Sequence, residues 1–393
     1  MRCLVISPHP FFTPRGTPLS VYYRTLVLSE LGADIDFLTY GEGLDPDIPN
    51  VRIYRGPRFA WLGHVKTGPS MLKLFLDVFI AAQTVGLLIR HRYDVVFAHE
   101  EAVFICRFLK PIFRFKLVYD MHSSLPQQLT NFNYTKSQII HYIFNKLERS
   151  SINASDAVIT ICPELATHVS HIVEDPSKHH LIENSIHELV KLKGGEETGE
   201  IQQSSGDITD LPIDRYCFVY AGTFERYQGI DLLIRSFGLV VQRRPDAFLL
   251  IVGGNTTQID SYRCLVEKEG LEDDCRFTGT VSQRLAHLYM RSADALLSPR
   301  TEGINTPLKI YHQLASGIPL VATNIRSHTQ VLNDEVAFLA DPEIEEFGAA
   351  MITAMSDHGA AKTKTENAMR LYEKKYSRES YVRKLSTLLN GLR

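Results

Sequence analysis

Short apolar runs alternate with helix-spaced stretches along nearly all of the 393 residues. "RCLVIS" (2–7) is followed by "PLSVYYRTLVLSELG" and "DIDFLTY", then by "DVVFAH", "KLVYDMH" and "DAVITICP", and "HHLIENSI" (179–186) closes the first half. Runs that are apolar throughout, not at every second position, suit strands buried on both faces, and helical stretches between them supply the crossovers of a parallel sheet. The pattern pauses at "VKLKGGEETGEIQQSSGDITDLP" (190–212), which lacks apolar periodicity and reads as a linker or long loop. It then restarts with "CFVYAG", "AFLLIVGG", "CRFTGTV", "ADALLSP" and "IPLVATN", separated by stretches such as "GIDLLIRSFGLVVQRR". The expected fold class is α/β, with two doubly wound domains in succession over 1–189 and 213–377. The helical pattern at 378–393 is expected to cross back onto the first.

The length is too great for one core and suits two. Hydrophobic residues at 44%, charged residues at 22% and a net charge of −3 describe an ordinary globular protein with no global attraction to nucleic acid. Six scattered cysteines without a Cys-x-x-Cys pair suggest neither a zinc site nor a disulfide framework, so a reducing compartment is the default. "MRCLVISPHP" runs straight into a strand pattern, without a charged start and long apolar stretch, and a cytoplasmic location is expected. The most apolar window, "LFLDVFIAAQTVGLL" (74–88), is shorter than the ~20 residues of a spanning helix and reads as a core or surface helix.

In sheets of this kind ligands bind at the carboxyl ends of the strands, where turns let backbone or a helix N-terminus meet a phosphate. Gly222, Gly253 and Gly254 follow apolar runs, and Gly229 precedes a helical stretch; each is a ligand-loop candidate or a plain turn glycine. Gly16, after the first strand, is placed either against ligand phosphates or in a turn before a helix. His99 and His122 end apolar runs, with Asp120 and Ser123 beside His122. No pair of carboxylates and no metal-type cluster stands out.

"YAGTFERYQGIDLLIRSF", "LYMRSADALLSPRTEG", "LASGIPLVATN", "YDMHSSLP" and "VITICPELATHV", in this order, resemble the GT-B glycosyltransferases, and within them the retaining family four, over nearly the whole chain. The resemblance implies two Rossmann-like domains facing across a cleft, and transfer of a sugar from a nucleotide-diphosphate donor to a glycan or lipid-linked acceptor. It also places His122 near the reacting sugar. Two departures are evident. The family's two glutamates, with seven residues between them, fall on Ile304 and His312 when the register is anchored on Gly317 and Pro319, and anchoring on Glu302 and Gly303 puts the second on Ile310. The family's phosphate-binding Arg and Lys fall on Thr223 and Gln228.

A departing diphosphate develops negative charge that donors or cations must meet. The expectation is that Arg300 and Lys309 take this over, with Arg226 as a further cation. A helix beginning near Thr306 and Pro307 then adds backbone N–H groups, and His312 donates to a ribose hydroxyl. Glu302, Asn305 and Leu308 complete the donor loop, and backbone near Gly254, Thr280 and Val281 reads the base. Without a carboxylate pair, front-face attack is expected, with no metal and no cofactor beyond the nucleotide-sugar co-substrate. Two alternatives stand beside this: a catalytically silent nucleotide-sugar-binding subunit, and a sugar-nucleotide epimerase of the same fold. Finally, "RIYRGPRFAWLGHVKTGPSMLK" (52–73) interleaves Arg52, Arg55, Arg58, Lys66 and Lys73 with Tyr54, Phe59 and Trp61. With the apolar stretch to Leu88 it suits either an anionic membrane surface, hence peripheral attachment, or packing on the first domain.

Overall fold

In the computed structural model the chain divides into two compact units: Met1–Asn184 with Lys191–Gly195 and Tyr381–Arg393, and Ser185–Val190 with Glu196–Ser380. The structure describes residues 1–13, 16–59, 65, 70–126, 137–185, 188–193, 211–212 and 214–392.

Unit 1 is built on seven parallel strands: β1 Arg2–Ser7, β2 Asp34–Thr39, β3 Val51–Arg55, β4 Val95–His99, β5 Lys116–Met121, β6 Ala157–Thr160 and β7 His179–Leu181. They lie in the order β3-β2-β1-β4-β5-β6-β7. Every residue of β4 and β6 is buried, as the unbroken apolar runs require of strands covered on both faces. Chain order reverses between β1 and β4, the switch point beside which such sheets bind ligands.

The structure refines the sequence reading of two stretches in this unit. Residues 52–55, the start of the basic and aromatic stretch, belong to edge strand β3, paired in parallel with β2. Alternation of polar and apolar residues on a half-covered edge gives a weaker signal than the central runs. Arg55 is also spent on structure, since its guanidinium pairs with Asp45 and donates to the carbonyls of Phe11 and Leu44. Trp61 and Lys66 lie outside the described residues. The apolar window 74–88 belongs to a longer helix, Met71–Arg90, whose 20 residues are long and apolar enough to cross a membrane and of whose window 28% is buried. It connects β3 to β4 of one sheet and buries Leu76, Ile80, Leu87 and Leu88 in the core, so it is a crossover helix.

Unit 2 has six parallel strands, β8 Tyr216–Ala221, β9 Ala247–Val252, β10 Cys275–Gly279, β11 Ala295–Ser298, β12 Leu320–Thr323 and β13 Phe338–Ala340, in the order β10-β9-β8-β11-β12-β13. Side chains alternate between two core layers. Phe218, Tyr220, Leu249 and Ile251 join Phe237 and Phe347 on one face, while Val219, Leu250 and Leu296 join Ile310, Tyr311 and Leu314 on the other. Leu233, Ile234, Phe237 and Val240 recur at helical spacing in Ile230–Arg243 and are fully buried, contributing roughly 1.5–3 kcal/mol each.

Lys191 and Lys193, at the start of the stretch read as a linker, exchange backbone hydrogen bonds with Asp47 and Asp45, and residues 194–210 lie outside the described residues. In the last helix, Arg378–Leu392, Tyr381, Leu385, Leu388 and Leu389 are buried, and Lys384 pairs with Glu183 of unit 1.

Candidate active site

In unit 2 the switch point falls between β8 and β11, and the loops that leave these two strands are fastened together. After β8 the chain passes through Gly222 and Thr223 into a short turn, Arg226–Gln228, and then Gly229, whose φ is +74°. A Cβ on Gly229 would lie 1.9 Å from the carbonyl oxygen of Pro299, so this position admits only glycine. Thr301 N donates to Tyr227 O at 2.9 Å, and the Arg300 guanidinium sits 4.9 Å from the Tyr227 ring centre. Neighbouring strand ends join the same edge: Gly222 N donates to Val252 O, Gly253 N to Gly279 O, and the Thr280 hydroxyl to Gly254 O. Val281 packs half-buried beside the second core layer.

The β11 loop runs into the helix Leu308–Ala315, which begins where the sequence placed it. Pro307 precedes it in extended conformation, and no side chain among the described residues caps its N-terminus. Thr306 is buried, and its hydroxyl has no hydrogen-bond partner among the described residues. Lys309 points its Nζ over the Tyr220 ring, 4.2 Å from the centre, and that buried Nζ has no hydrogen-bond acceptor among the described residues. Burial, followed by repulsion from Arg300, pulls its pKa down to about 7. Two cations, an unsatisfied hydroxyl and a helix N-terminus therefore share one place, and each of them favours an anion there.

The other donor-side expectations fare differently. Arg300 gives one donor to Glu302 O at 2.6 Å and another to Asn305 O at 3.4 Å, so part of its hydrogen-bonding capacity braces its own loop. Glu302 is exposed, as is Arg226 on the short turn. Gln228 Nε2 lies 3.4 Å from the Thr223 hydroxyl, so the residues at the family's Arg and Lys positions bond to each other. His312 stacks on His287 with centres 4.7 Å apart, and burial followed by that neighbour lowers it to about 4, so it is neutral at pH 7. His328, which the sequence reading passed over, is fully buried. It bonds the Ser298 hydroxyl at 3.0 Å and Thr323, whose own hydroxyl donates to Arg300 O, and burial holds it at about 3.

In unit 1, β1, β4 and β5 end side by side, and their ends carry a buried polar cluster. Asp120, wholly buried at the end of β5, has Arg24 Nε 2.6 Å from one oxygen and His122 Nε2 3.3 Å from the other. His99 Nδ1 lies 3.4 Å from Asp120 and 3.3 Å from His122. Burial alone would raise the Asp120 carboxyl, but Arg24 and the two histidines outweigh it and hold it below the usual range. His99 stays neutral, lowered to about 3 by burial. His9, bonded to Ser7 and lowered by burial and by His99, belongs to the same group. Gly16 opens the helix Gly16–Glu30 that carries Arg24.

Here the structure corrects two expected absences. His99, Asp120 and His122 form a metal-type cluster, with one ligand atom from each within 4.8 Å of the others. Arg24 already pairs with the carboxylate, which leaves a divalent cation poorly matched to this place. Carboxylates also converge: Glu100 accepts from Ser123 at 2.8 Å, Asp77 from Tyr40 at 2.6 Å, and Glu101 stands beside them. Burial and then the charge of Glu101 push Glu100 up to about 8 and Asp77 up to about 7. Arg24 was legible in principle, because a lone arginine within "SVYYRTLVL" must be paired if that helix face is buried.

Comparison with known proteins agrees with this architecture. Residues 15–188 match the family described as Glycosyltransferase Family 4, and residues 204–377 match Glycosyl transferases group 1. The chain is 32% identical over 130 residues to a phosphatidyl-myo-inositol mannosyltransferase of Mycobacterium tuberculosis, an alignment covering 33% of each chain. It therefore spans about a third of the length of that curated relative. Among solved structures, a sucrose-phosphate synthase from Thermosynechococcus elongatus superposes with a TM-score of 0.74 at 17% identity, covering 100% of this chain and 98% of that one. The Anabaena protein HepE, solved in complex with UDP, gives 0.71 at 16% identity over 99% and 100%. With two successive family matches laid over two parallel sheets of matching fold, the chain belongs to the GT-B glycosyltransferases of the group 1, family-four type.

Proposed function

We propose that the protein transfers a sugar from a nucleotide-diphosphate donor to a glycan or lipid-linked acceptor with retention, without a metal, from the cytoplasmic face of a membrane. The observation that carries the reading is the pair Arg300 and Lys309 at a helix N-terminus that, among the described residues, has no side-chain cap and leaves the lysine without an acceptor. A diphosphate placed there relieves the repulsion between them, satisfies Nζ and meets the Thr306 hydroxyl. HepE, a protein of the same fold, is solved with UDP, which supports a uridine-type donor as the first to try. His312, neutral and half-buried, donates to a ribose hydroxyl, and backbone at Gly254, Thr280 and Val281 reads the base.

In the step proposed, the bond from the anomeric carbon to the diphosphate oxygen breaks as the acceptor hydroxyl attacks from the same face. The departing phosphate oxygen takes the hydroxyl proton. Lys309, Arg300 and the helix N-terminus stabilise the charge that develops. Convergent carboxylates do exist in unit 1, but Glu100 at about 8 is mostly protonated at neutral pH and makes a poor nucleophile, which supports front-face attack over a double displacement. His122, fixed through Asp120, orients the reacting sugar.

Incubation with uridine, guanosine and adenosine diphosphate sugars tests the reading. Slow hydrolysis, or transfer to an added acceptor, is expected with one of them. A thermal shift without turnover would instead indicate a silent binding subunit, and interconversion of the sugar on its nucleotide would indicate an epimerase.

A further inference from the structure

Eleven exposed large hydrophobic side chains of unit 1 lie on three helices: Met71–Arg90, Ala102–Phe113 and Gln138–Ala154. The middle helix packs against both of the others, and Arg107 and Lys110 donate to the carbonyls of Leu147 and Ala154, so the three form one continuous layer. Val78 is 65% exposed, Ile112 69% and Ile139 72%. A layer of this kind exceeds the scattered apolar surface normal for a soluble domain.

The third helix makes the case sharpest. It buries Glu148, which accepts from Ser124, from Leu125 N and from His168, while Ile139, Ile140, Tyr142 and Ile143 face outward over its first turns. A helix packed only for its own domain would do the reverse. Charge on the layer is one-sided as well. Lys73, Arg90, Arg107, Lys146 and Arg149 are its cations, with Lys110 paired to Asp156, and its two acids are withdrawn, Glu148 by burial and Asp77 by its bond with Tyr40.

We infer that this three-helix layer is a docking surface for an anionic lipid bilayer, with the isoleucines and phenylalanines entering the headgroup boundary and the cations meeting lipid phosphates. An apolar face rimmed by cations matches a surface that is apolar beneath and anionic above, and each cation near it is worth roughly fivefold in partition. The surface differs from the one the sequence suggested, since Arg55 is tied to Asp45 while the second and third helices take its place. The inference gives a location to the membrane attachment proposed above and depends on unit 1 alone.

Sedimentation of the full chain with vesicles of equal parts phosphatidylcholine and phosphatidylglycerol, and with phosphatidylcholine alone, tests it. Binding to the anionic vesicles at low salt is expected, weakening at high salt. The double variant Ile139→Asp/Ile143→Asp and the double variant Phe108→Asp/Ile112→Asp should each lower partition at least tenfold. Met369→Asp, an exposed apolar site in unit 2, should leave it unchanged. Thermal melts of each variant confirm folding, and UDP affinity by calorimetry is measured alongside. Absence of binding to anionic vesicles, or binding untouched in both double variants, overturns the docking surface. So does self-association that the same substitutions abolish without any vesicle binding, because the layer then meets a second copy. Vesicle binding with no affinity for any nucleoside diphosphate would sink the donor reading and leave the docking surface standing.

Discussion

An ammonium group buried without an acceptor forgoes several kcal/mol of hydration, and the Tyr220 ring beneath Lys309 returns only about 1–2 kcal/mol of that. Lys309 is therefore a residue that destabilises the free protein and is offset when an anion arrives. Its folded pKa, about 7, lies below the ordinary 10.5, so the unfolded chain binds more protons between those values and the free protein gains stability as pH rises through that window. Diphosphate binding works the other way, because it requires the protonated form. The affinity of wild type for a nucleoside diphosphate should fall as pH rises above about 7, approaching tenfold per unit, while Lys309→Met shows no such slope, melts higher than wild type near neutral pH and turns over ~100-fold more slowly. Parallel slopes for the two proteins in calorimetric titrations would remove Lys309 from the diphosphate site. Lys309 and Arg300 were legible in the sequence because their neighbours fix a register against a known pattern. The consequences of burial were not, since no residue string says that Tyr220 lies under the ammonium or that Arg24 meets Asp120 from ninety-six positions away.

Elements carried their identities more openly. Strands buried on both faces announced themselves as unbroken apolar runs, whereas β3, a polar edge, and β13, three residues long, fell below that signal. The junction of loops after β8 and β11 was invisible for a different reason: it depends on approach between segments some seventy residues apart. Its sharpest requirement is Gly229. Replacing it with Ala drives a methyl group into the Pro299 carbonyl and imposes a left-handed conformation on a residue with a side chain. The expected cost is ~2 kcal/mol or more in stability, together with at least a tenfold loss of donor affinity as the Arg300 loop moves. Gly270→Ala, also at positive φ but with no atom within 4 Å, is the control and should lose stability alone. If both variants bind the nucleotide as wild type does, the fastened loops do not form the donor site.

At the scale of the whole molecule, buried titratable groups set opposite pH limits for the two units. Unit 2 keeps His312 at about 4 and His328 at about 3, both lowered by burial from 6.5. Because the unfolded state takes up these protons first, their contribution is complete above about 6.5 and is lost as pH falls toward 4. Unit 1 carries the opposite set. Glu100 at about 8 and Asp77 at about 7 are raised, again by burial first, so their contribution is present below the ordinary carboxylate range and is lost as pH climbs through 7 and 8. In unit 1 between about 4.5 and 6.5 the lowered His9 and His99 oppose the carboxylates, which confines the net loss to the alkaline side. Above 6.5 Glu100 alone accounts for roughly 2 kcal/mol by pH 8, a sizeable part of a typical domain's stability. Scanning calorimetry across pH 4 to 9 should accordingly resolve a transition that weakens on acidification and another that weakens on alkalinisation. Glu100→Gln should flatten the alkaline loss of the second while leaving the first unmoved. A common pH slope for all the heat absorbed, or an alkaline loss undiminished in Glu100→Gln, would show that the carboxylates beside Ser123 and Tyr40 are ionised in the native state, and the argument against a carboxylate nucleophile would fall with them.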